Sequence, residues 1–496
     1  MVRPLPDRTR HPDPDRFDDP SRPSILSLIG YFATVVTIPS IDPVVNVTID
    51  HSLKINSAPD PLLKMLVKRF QLLNPKWIEN ERMGRWNRGT QKILRFYKRY
   101  GKNGISLPRG YSRQLILNLK NNGMSYEIHD RRRLMPEVNF SFAGALKPFQ
   151  SVAVEEMAKK AFGTLNAPTG SGKTVMGLYL IAQRKQPTVI LVHTKDLAFQ
   201  WRERIEQFLG IPEKEVGLVG AGKKKIGDRI TVALVQSLYR LAKTVAPTTG
   251  HLVVDECHRT PSRTFTDAVK AFDCQFMLGL SATPWRRDKL SKLIFWYLGD
   301  VHHEVDKARL EKSGHILKAH VIFRPTVFEP YYDPANDYSR MLSELTADDQ
   351  RNRMIAADVF GEISSEKGVC LVLSDRKKHC ETLQGILKYK YGVSAELLTG
   401  DLTNEERKSV LGRLSEGRVS VLIATGQLIG EGFDCPDLST LFLATPIRFS
   451  GRVMQYLGRI LRPTKEKKVA RVYDYVDERV APLAAAAKAR QRVYKG

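Results

Sequence analysis

Residues 166–174 read NAPTGSGKT, following a short apolar run and opening the amphipathic stretch KTVMGLYLIAQ. A glycine-rich turn between a buried strand and a helix confines this part of the chain to an α/β layer architecture. Successive backbone N–H groups in such a turn point at phosphate oxygens, and the helix N-terminus adds positive potential. Thr169, Gly170, Ser171 and Gly172 would form the cradle. Lys173 would reach the β/γ-phosphates and Thr174 would hold Mg²⁺. Ala167 stands where the strict pattern has its first glycine.

The surrounding texture agrees. From Leu146 onward, short apolar runs alternate with amphipathic helical stretches: TVILVH (188–193), ITVALV (230–235), HLVVDE (251–256) and FMLGLS (276–281). This is the pattern of a doubly wound parallel sheet. A second set follows, with GVCLVLS (368–374), SAELLTG (394–400), VSVLIAT (419–425) and STLFLATP (439–446). The Pro-, Tyr- and Asp-rich stretch 301–345 between the sets reads as an irregular interdomain linker. The expected organisation is a disordered tail (1–23), a small basic α+β domain (24–140), two α/β domains (141–300 and 346–480) and a basic C-terminal tail (481–496) that reads as a helix with a basic end.

Chemistry gathers at the ends of these strands. The run HLVV ends at Asp255-Glu256, where Asp255 can hold Mg²⁺ and Glu256 can orient and deprotonate an attacking water. Ser281 and Thr283 in LSATP end another buried strand and could sense a γ-phosphate. Neither Cys257 nor His258 has a second partner at ligand spacing, so zinc is not expected there. The second domain has no phosphate-binding loop. It carries ATGQLIGEGFD (424–434) and QYLGRILRP (455–463). Arg459 and Arg462 share a helix face, and Gly458 lets another backbone come close. If the two domains face each other across ATP, these arginines reach the γ-phosphate from the opposite side, an arrangement worth roughly 10³–10⁵ in rate.

Composition supplies the partner. Lys and Arg number 78 against 53 Asp and Glu, a net charge of +25, which suits a polyanion such as nucleic acid. Between Lys64 and Arg133 the acids are only Glu79, Glu81, Glu127 and Asp130, and Trp77, Trp86, Phe96, Tyr97 and Tyr100 are interleaved with the cations. That mixture reads either as a surface gripping phosphates and stacking on bases or as solvated basic helices with a small core. Here VVNVTI reads as a strand, PLLKMLVKRFQLL as helical spacing and SLPRGYSRQL as a turn opening a helix. The uncharged segment 24–41 is short for a membrane span and broken by Ser, Gly, Thr and Pro. It reads as strand-forming or poorly ordered chain, with an anchor as the alternative. The five cysteines form no CxxC pair, which fits a reducing compartment.

Taken together, LKPFQ, APTGSGKT, VHTKDLAFQW, DECH, SATP, ATGQLIGEGFD and QYLGRILRP resemble the motif series of a superfamily 2 helicase of the DEAD/DEAH-box type over residues 146–478. The resemblance implies two tandem RecA-like domains, ATP and Mg²⁺ as ligands, adenine recognition by Gln150, and ribose contact by Asp434 beside Gly432. It further implies coupling through Gln455, with Thr194, Gln200, Ser237 and Thr425 toward a nucleic-acid backbone. LKPFQ just upstream of the loop, with an extra N-terminal domain, is most similar to the XPB, RadD and UvsW group of DNA helicases and translocases. Its members typically run 3′ to 5′ or remodel branched DNA. WRRDKL resembles that group's Arg-Glu-Asp element, with Arg287 in place of the acid. The expected partner is DNA, with RNA and an ATP-gated binding module as alternatives, and protein partners in a repair, replication or defence complex are open. The expected location is the cytoplasm, associated with the nucleoid.

Overall fold

The computed structural model of the chain describes residues 44–259, 263–282, 290–365, 368–426, 429, 435, 437–447, 456–458, 460, 461, 463, 467 and 469–495. The uncharged segment 24–41 lies outside them, as do the tail 1–23 and Arg287. Among the described residues no helix is long and apolar enough to cross a membrane.

Three sheets carry the chain. The first has five strands in the spatial order 98–100, 104–107, 53–56, 45–49, 126–130. Its interior strand Val45–Ile49 alternates buried and half-buried positions, the mark of one face packed on a core. Helices Asp60–Arg69 and Ser112–Asn121 cover that face with Leu62, Leu63, Leu66, Leu115 and Leu119. The helical spacing of PLLKMLVKRFQLL does not run to its end. The helix stops at Arg69, and Gln71–Leu73 turns into a strand pairing with Ile93–Arg95.

The second sheet has eight strands, ordered 223–225, 217–220, 230–234, 188–192, 251–254, 276–281, 162–166, 301–304. All neighbours are parallel except the edge strand Lys223–Lys225. The strand Phe276–Ser281 lies between Phe162–Asn166 and His251–Val254. Its end therefore sits between the glycine-rich turn and the acidic pair. The third sheet is wholly parallel, ordered 319–325, 470–476, 438–443, 369–374, 421–425, 396–398. Two tandem RecA-like α/β layers are the result, since parallel strands need helical crossovers and bury both faces.

One expectation needs correction. Residues 301–345 are irregular at length only over 326–337: Val301–Glu304 closes one edge of the second sheet and Ala319–Pro325 opens the third. Ala481–Lys495 is a helix held against the third sheet, where buried Arg490 donates to both oxygens of Asp474 and to the Ile447 carbonyl.

The basic N-terminal domain shares a core with the first RecA-like layer. Phe70 packs on Trp296 with ring centroids 4.4 Å apart, and Phe96 lies on the same indole at 5.7 Å. Gly110 permits this approach, since a Cβ there would stand 2.5 Å from the Phe295 carbonyl oxygen. Arg109, buried, donates to the Cys274 carbonyl at 2.8 Å, and Arg133 pairs with Asp273 at 2.7 Å.

Candidate active site

The glycine-rich turn follows Phe162–Asn166, and its shape is set by two left-handed glycines, Gly170 (φ 87°) and Gly172 (φ 83°). Side chains rarely adopt such angles. Gly172 also makes room for Gln150, whose Nε2 would lie 2.4 Å from a Cβ there. Gln150 donates to the Ser171 carbonyl at 2.8 Å and accepts from Lys147 N–H at 2.9 Å. It fixes the turn against the helix Pro148–Ala158.

Lys173, buried, donates to the Ala167 carbonyl at 3.1 Å and lies 3.9 Å from Glu256 Oε1. The turn is tied to the neighbouring strand by Ala167 N–H donating to the Ser281 carbonyl at 2.9 Å. Ser171 Oγ is buried with no hydrogen-bond partner. An unsatisfied hydroxyl in a cradle of N–H groups beside a buried lysine fits a polyphosphate.

Asp255 ends the strand His251–Val254 almost wholly buried. One oxygen accepts from Trp201 Nε1 at 2.8 Å and the other from Glu256 N–H at 2.9 Å. Burial, then the adjacent Glu256, pushes its carboxyl well above the usual range, to about 7, against the pull of the Trp201 donor and Lys173. A carboxylate held there at a cost is matched to a cation, and a carboxylate with a hydroxyl such as that of Thr174 is an oxygen donor set that suits Mg²⁺. Glu256 sits in the left-handed region at φ 46°, unusual for a residue with a side chain.

His258 forms a link with no counterpart in the sequence reading. Its Nδ1 lies 3.0 Å from Ser281 Oγ and 3.2 Å from Glu256 Oε2. The acidic pair and the end of the neighbouring strand are thereby joined through one imidazole. Trp201 carries no such signal in the sequence either: it stands 54 residues before Asp255, and only the order of the strands brings the two together. Burial pushes the Cys257 thiol up, as expected of an inert core residue.

The second RecA-like domain meets this site at Gly458. A Cβ on Gly458 would fall 2.1 Å from Thr169 Cβ, so only glycine lets the chain approach the turn this closely at that position. A second contact spans the cleft, Arg407 Nη2 to Asp196 Oδ2 at 3.2 Å. Arg459, Arg462, Gln455, Gly432, Asp434 and Thr283 lie outside the described residues. Thr194 caps the helix Lys195–Leu209 by accepting from Leu197 N–H. Gln200 lies in that helix, Ser237 in the first turn of Val235–Val245, and Thr425 ends the strand Val421–Thr425. Thr194 and Ser237 stand just beyond the carboxyl ends of strands and Thr425 ends one, the edge where open α/β sheets bind ligands.

The aromatics of the basic domain divide. Phe96 is committed to Trp296, Tyr100 donates to the Ile55 carbonyl, Tyr97 accepts from Gln71, and Trp77 lies under Lys92. Trp86 is 85% exposed.

Two family models match the chain, the type III restriction enzyme res subunit over residues 143–286 and the helicase conserved C-terminal domain over 353–464. The chain belongs to the superfamily 2 helicases. It is thus an ATP-hydrolysing enzyme, in keeping with the loop and acidic pair. Its relatives include the DNA 3'-5' translocase XPB2 of Sulfurisphaera tokodaii, 27% identical over 68% of this chain and 82% of that protein. A putative ATP-dependent RNA helicase, L396 of Acanthamoeba polyphaga mimivirus, is 24% identical over 69% of this chain and 66% of that protein. The chain therefore spans about two thirds of the mimivirus relative. Among solved structures, a fragment of a putative HsdR subunit of a type I restriction enzyme from Vibrio vulnificus YJ016 shares the fold. Its TM-score is 0.53 at 19% identity, over 71% of this chain and 66% of that one.

Proposed function

We propose that this superfamily 2 enzyme is an ATP-dependent DNA helicase or translocase that moves on or remodels duplex, forked or branched DNA, running 3′ to 5′. The observation that carries the motor reading is the seating of Gly458 on Thr169, which brings the second domain to the phosphate cradle. The name of the Sulfurisphaera relative supports the choice of DNA and of polarity.

In this reading Thr169, Gly170, Ser171 and Gly172 hold the phosphates of ATP, with Lys173 at the β/γ end. Mg²⁺, held by Thr174 and Asp255, supplies charge neutralisation at the phosphate oxygens. Glu256 orients the attacking water and takes its proton. Arg459 and Arg462 stabilise charge from the second domain, Gln150, Gly432 and Asp434 read the nucleoside, and Ser281, Thr283 and Gln455 carry the state of the site outward. The His258 link between Glu256 and Ser281 gives that relay a first step. Thr194, Gln200, Ser237 and Thr425 would face the nucleic-acid backbone.

Strand displacement on forked, 3′-tailed and 5′-tailed DNA, with matching RNA and Glu256→Gln as control, tests this. Displacement of forked and 3′-tailed DNA, lost in the variant, is expected. Activity on RNA alone would support the RNA alternative and sink the DNA assignment.

A further inference from the structure

A cleft of about 850 Å³ opens between the basic N-terminal domain and the first RecA-like layer. Its walls hold five basic side chains, Arg95, Lys98, Arg133, Lys243 and Lys270, against the single carboxylate of Asp267. Arg133 is paired with Asp273, and Lys270 stands 4.0 Å from Asp267. For Arg95, Lys98 and Lys243 no carboxylate partner exists among the described residues. Tyr97 and Tyr239 add aromatic surface, Tyr239 being 38% exposed. Tyr297, buried at the cleft wall, has a hydroxyl with no hydrogen-bond partner.

The cleft lies away from the nucleotide. Lys243 is in the last turn of Val235–Val245, and Ala246-Pro247 lead to the amino end of His251–Val254. Lys270 and Ala271 likewise lead to the amino end of Phe276–Ser281. The cradle, Asp255, Thr194 and Ser237 all follow carboxyl ends of strands, on the opposite edge of the sheet.

Which anion suits it follows from how the charge is spread. A triphosphate wants N–H groups of a helix start, whereas here the helices present their carboxyl ends and the cations come from separate elements of two domains. Cations spread along a groove with aromatic faces suit a strand, with one charge per nucleotide and a base beside each. We propose that this cleft is a second nucleic-acid site, on the amino edge of the first RecA-like layer, which takes a single-stranded arm of the substrate. The proposal rests on the motor reading above. Because the N-terminal domain shares a core with this layer, an arm held there would move with the first domain, while the motor path spans both.

The test pairs binding with cross-linking on the full chain. The double variant Lys98→Glu with Lys243→Glu is measured for fork binding against salt, and Tyr239→Cys carrying a photoreactive maleimide is irradiated with forked DNA. The native cysteines are all buried, which directs the label to position 239. Expected are a cross-link to a single-stranded arm, at least tenfold weaker fork binding, and a salt slope shallower by about 1.4, from two lost contacts at ~0.7 each. ATPase stimulation by a short oligonucleotide should stay within twofold of the parent. Parent-like fork binding with no cross-link, while that stimulation persists, would overturn the cleft and leave the motor intact. No stimulation of the parent by any nucleic acid would overturn both.

Discussion

At the scale of single residues, the site is organised around a carboxylate that burial makes reluctant to ionise. Asp255 is kept usable by the Trp201 indole on one oxygen and Glu256 N–H on the other. Trp201→Phe keeps the ring and removes the donor. Losing a hydrogen bond to a buried charged group costs about 1–3 kcal/mol, and here the loss falls on the ionised form, raising an already raised pKa. Half-saturating Mg²⁺ for ATP hydrolysis at neutral pH should rise about tenfold, read from an Mg²⁺ titration of the ATPase. An unchanged titration would mean the indole only fills space. The loop and acidic pair were legible because each is local, a few residues whose types state their chemistry. The partners Trp201, His258 and Gln150 were not legible as a network, since their contacts join residues that only the sheet order brings together.

At the scale of elements, Gly458 and the second parallel sheet carry the behaviour of the cleft. Gly458→Val would force the chain at residues 456–458 off Thr169. A displacement near 1 Å in a positioned site can cost about 10²-fold in rate. Turnover should fall by that order while DNA binding is kept, measured by steady-state ATPase and filter binding; a loss under twofold would sink the role of close approach. A different test lies in the second sheet, where His379 is buried between Ser374 Oγ at 2.9 Å and Asn352 Oδ1 at 2.7 Å. Burial, then Arg351, holds its imidazole down to about 3. Above the ordinary value of 6.5 the ring is neutral folded or unfolded. Between 6.5 and 3 only the unfolded chain takes the proton, so stability falls with pH by about 1.4 kcal/mol per unit. Urea unfolding of the second domain should lose about 2 kcal/mol at pH 5 relative to pH 7 through this group, and His379→Gln should remove that part. A slope unaltered in the variant would contradict it.

The element reading of the sequence succeeded where strands are buried on both faces and failed at edges. TVILVH and FMLGLS are continuous apolar runs because helices cover both sides. VHHE and AHVIFRP, on sheet edges, carry polar residues and passed for linker. QLL after Arg69 kept helical spacing by composition, but its pairing with Ile93–Arg95 decided its state.

At the scale of the molecule, the basic domain and the first RecA-like layer behave as one body. Trp296 is the hinge pin of that union, touched by Phe70 and Phe96 from across the junction. Trp296→Ala should cost about 3–5 kcal/mol. Hydrogen exchange should show lost protection in Val45–Ile49 and Phe276–Ser281 together, with Val369–Ser374 unchanged. Loss confined to one of the first two would show separate bodies.

In the proposed motor, turnover needs both RecA-like domains on one ATP, and nucleic acid stimulates it. The most direct measurement is steady-state ATPase activity without nucleic acid and with single-stranded, duplex and forked DNA and RNA, for the parent chain, Lys173→Ala and Arg462→Ala. Strong stimulation by DNA, abolished in both variants, is the expected result. Full turnover in Arg462→Ala, or a parent rate indifferent to every nucleic acid, would contradict this motor.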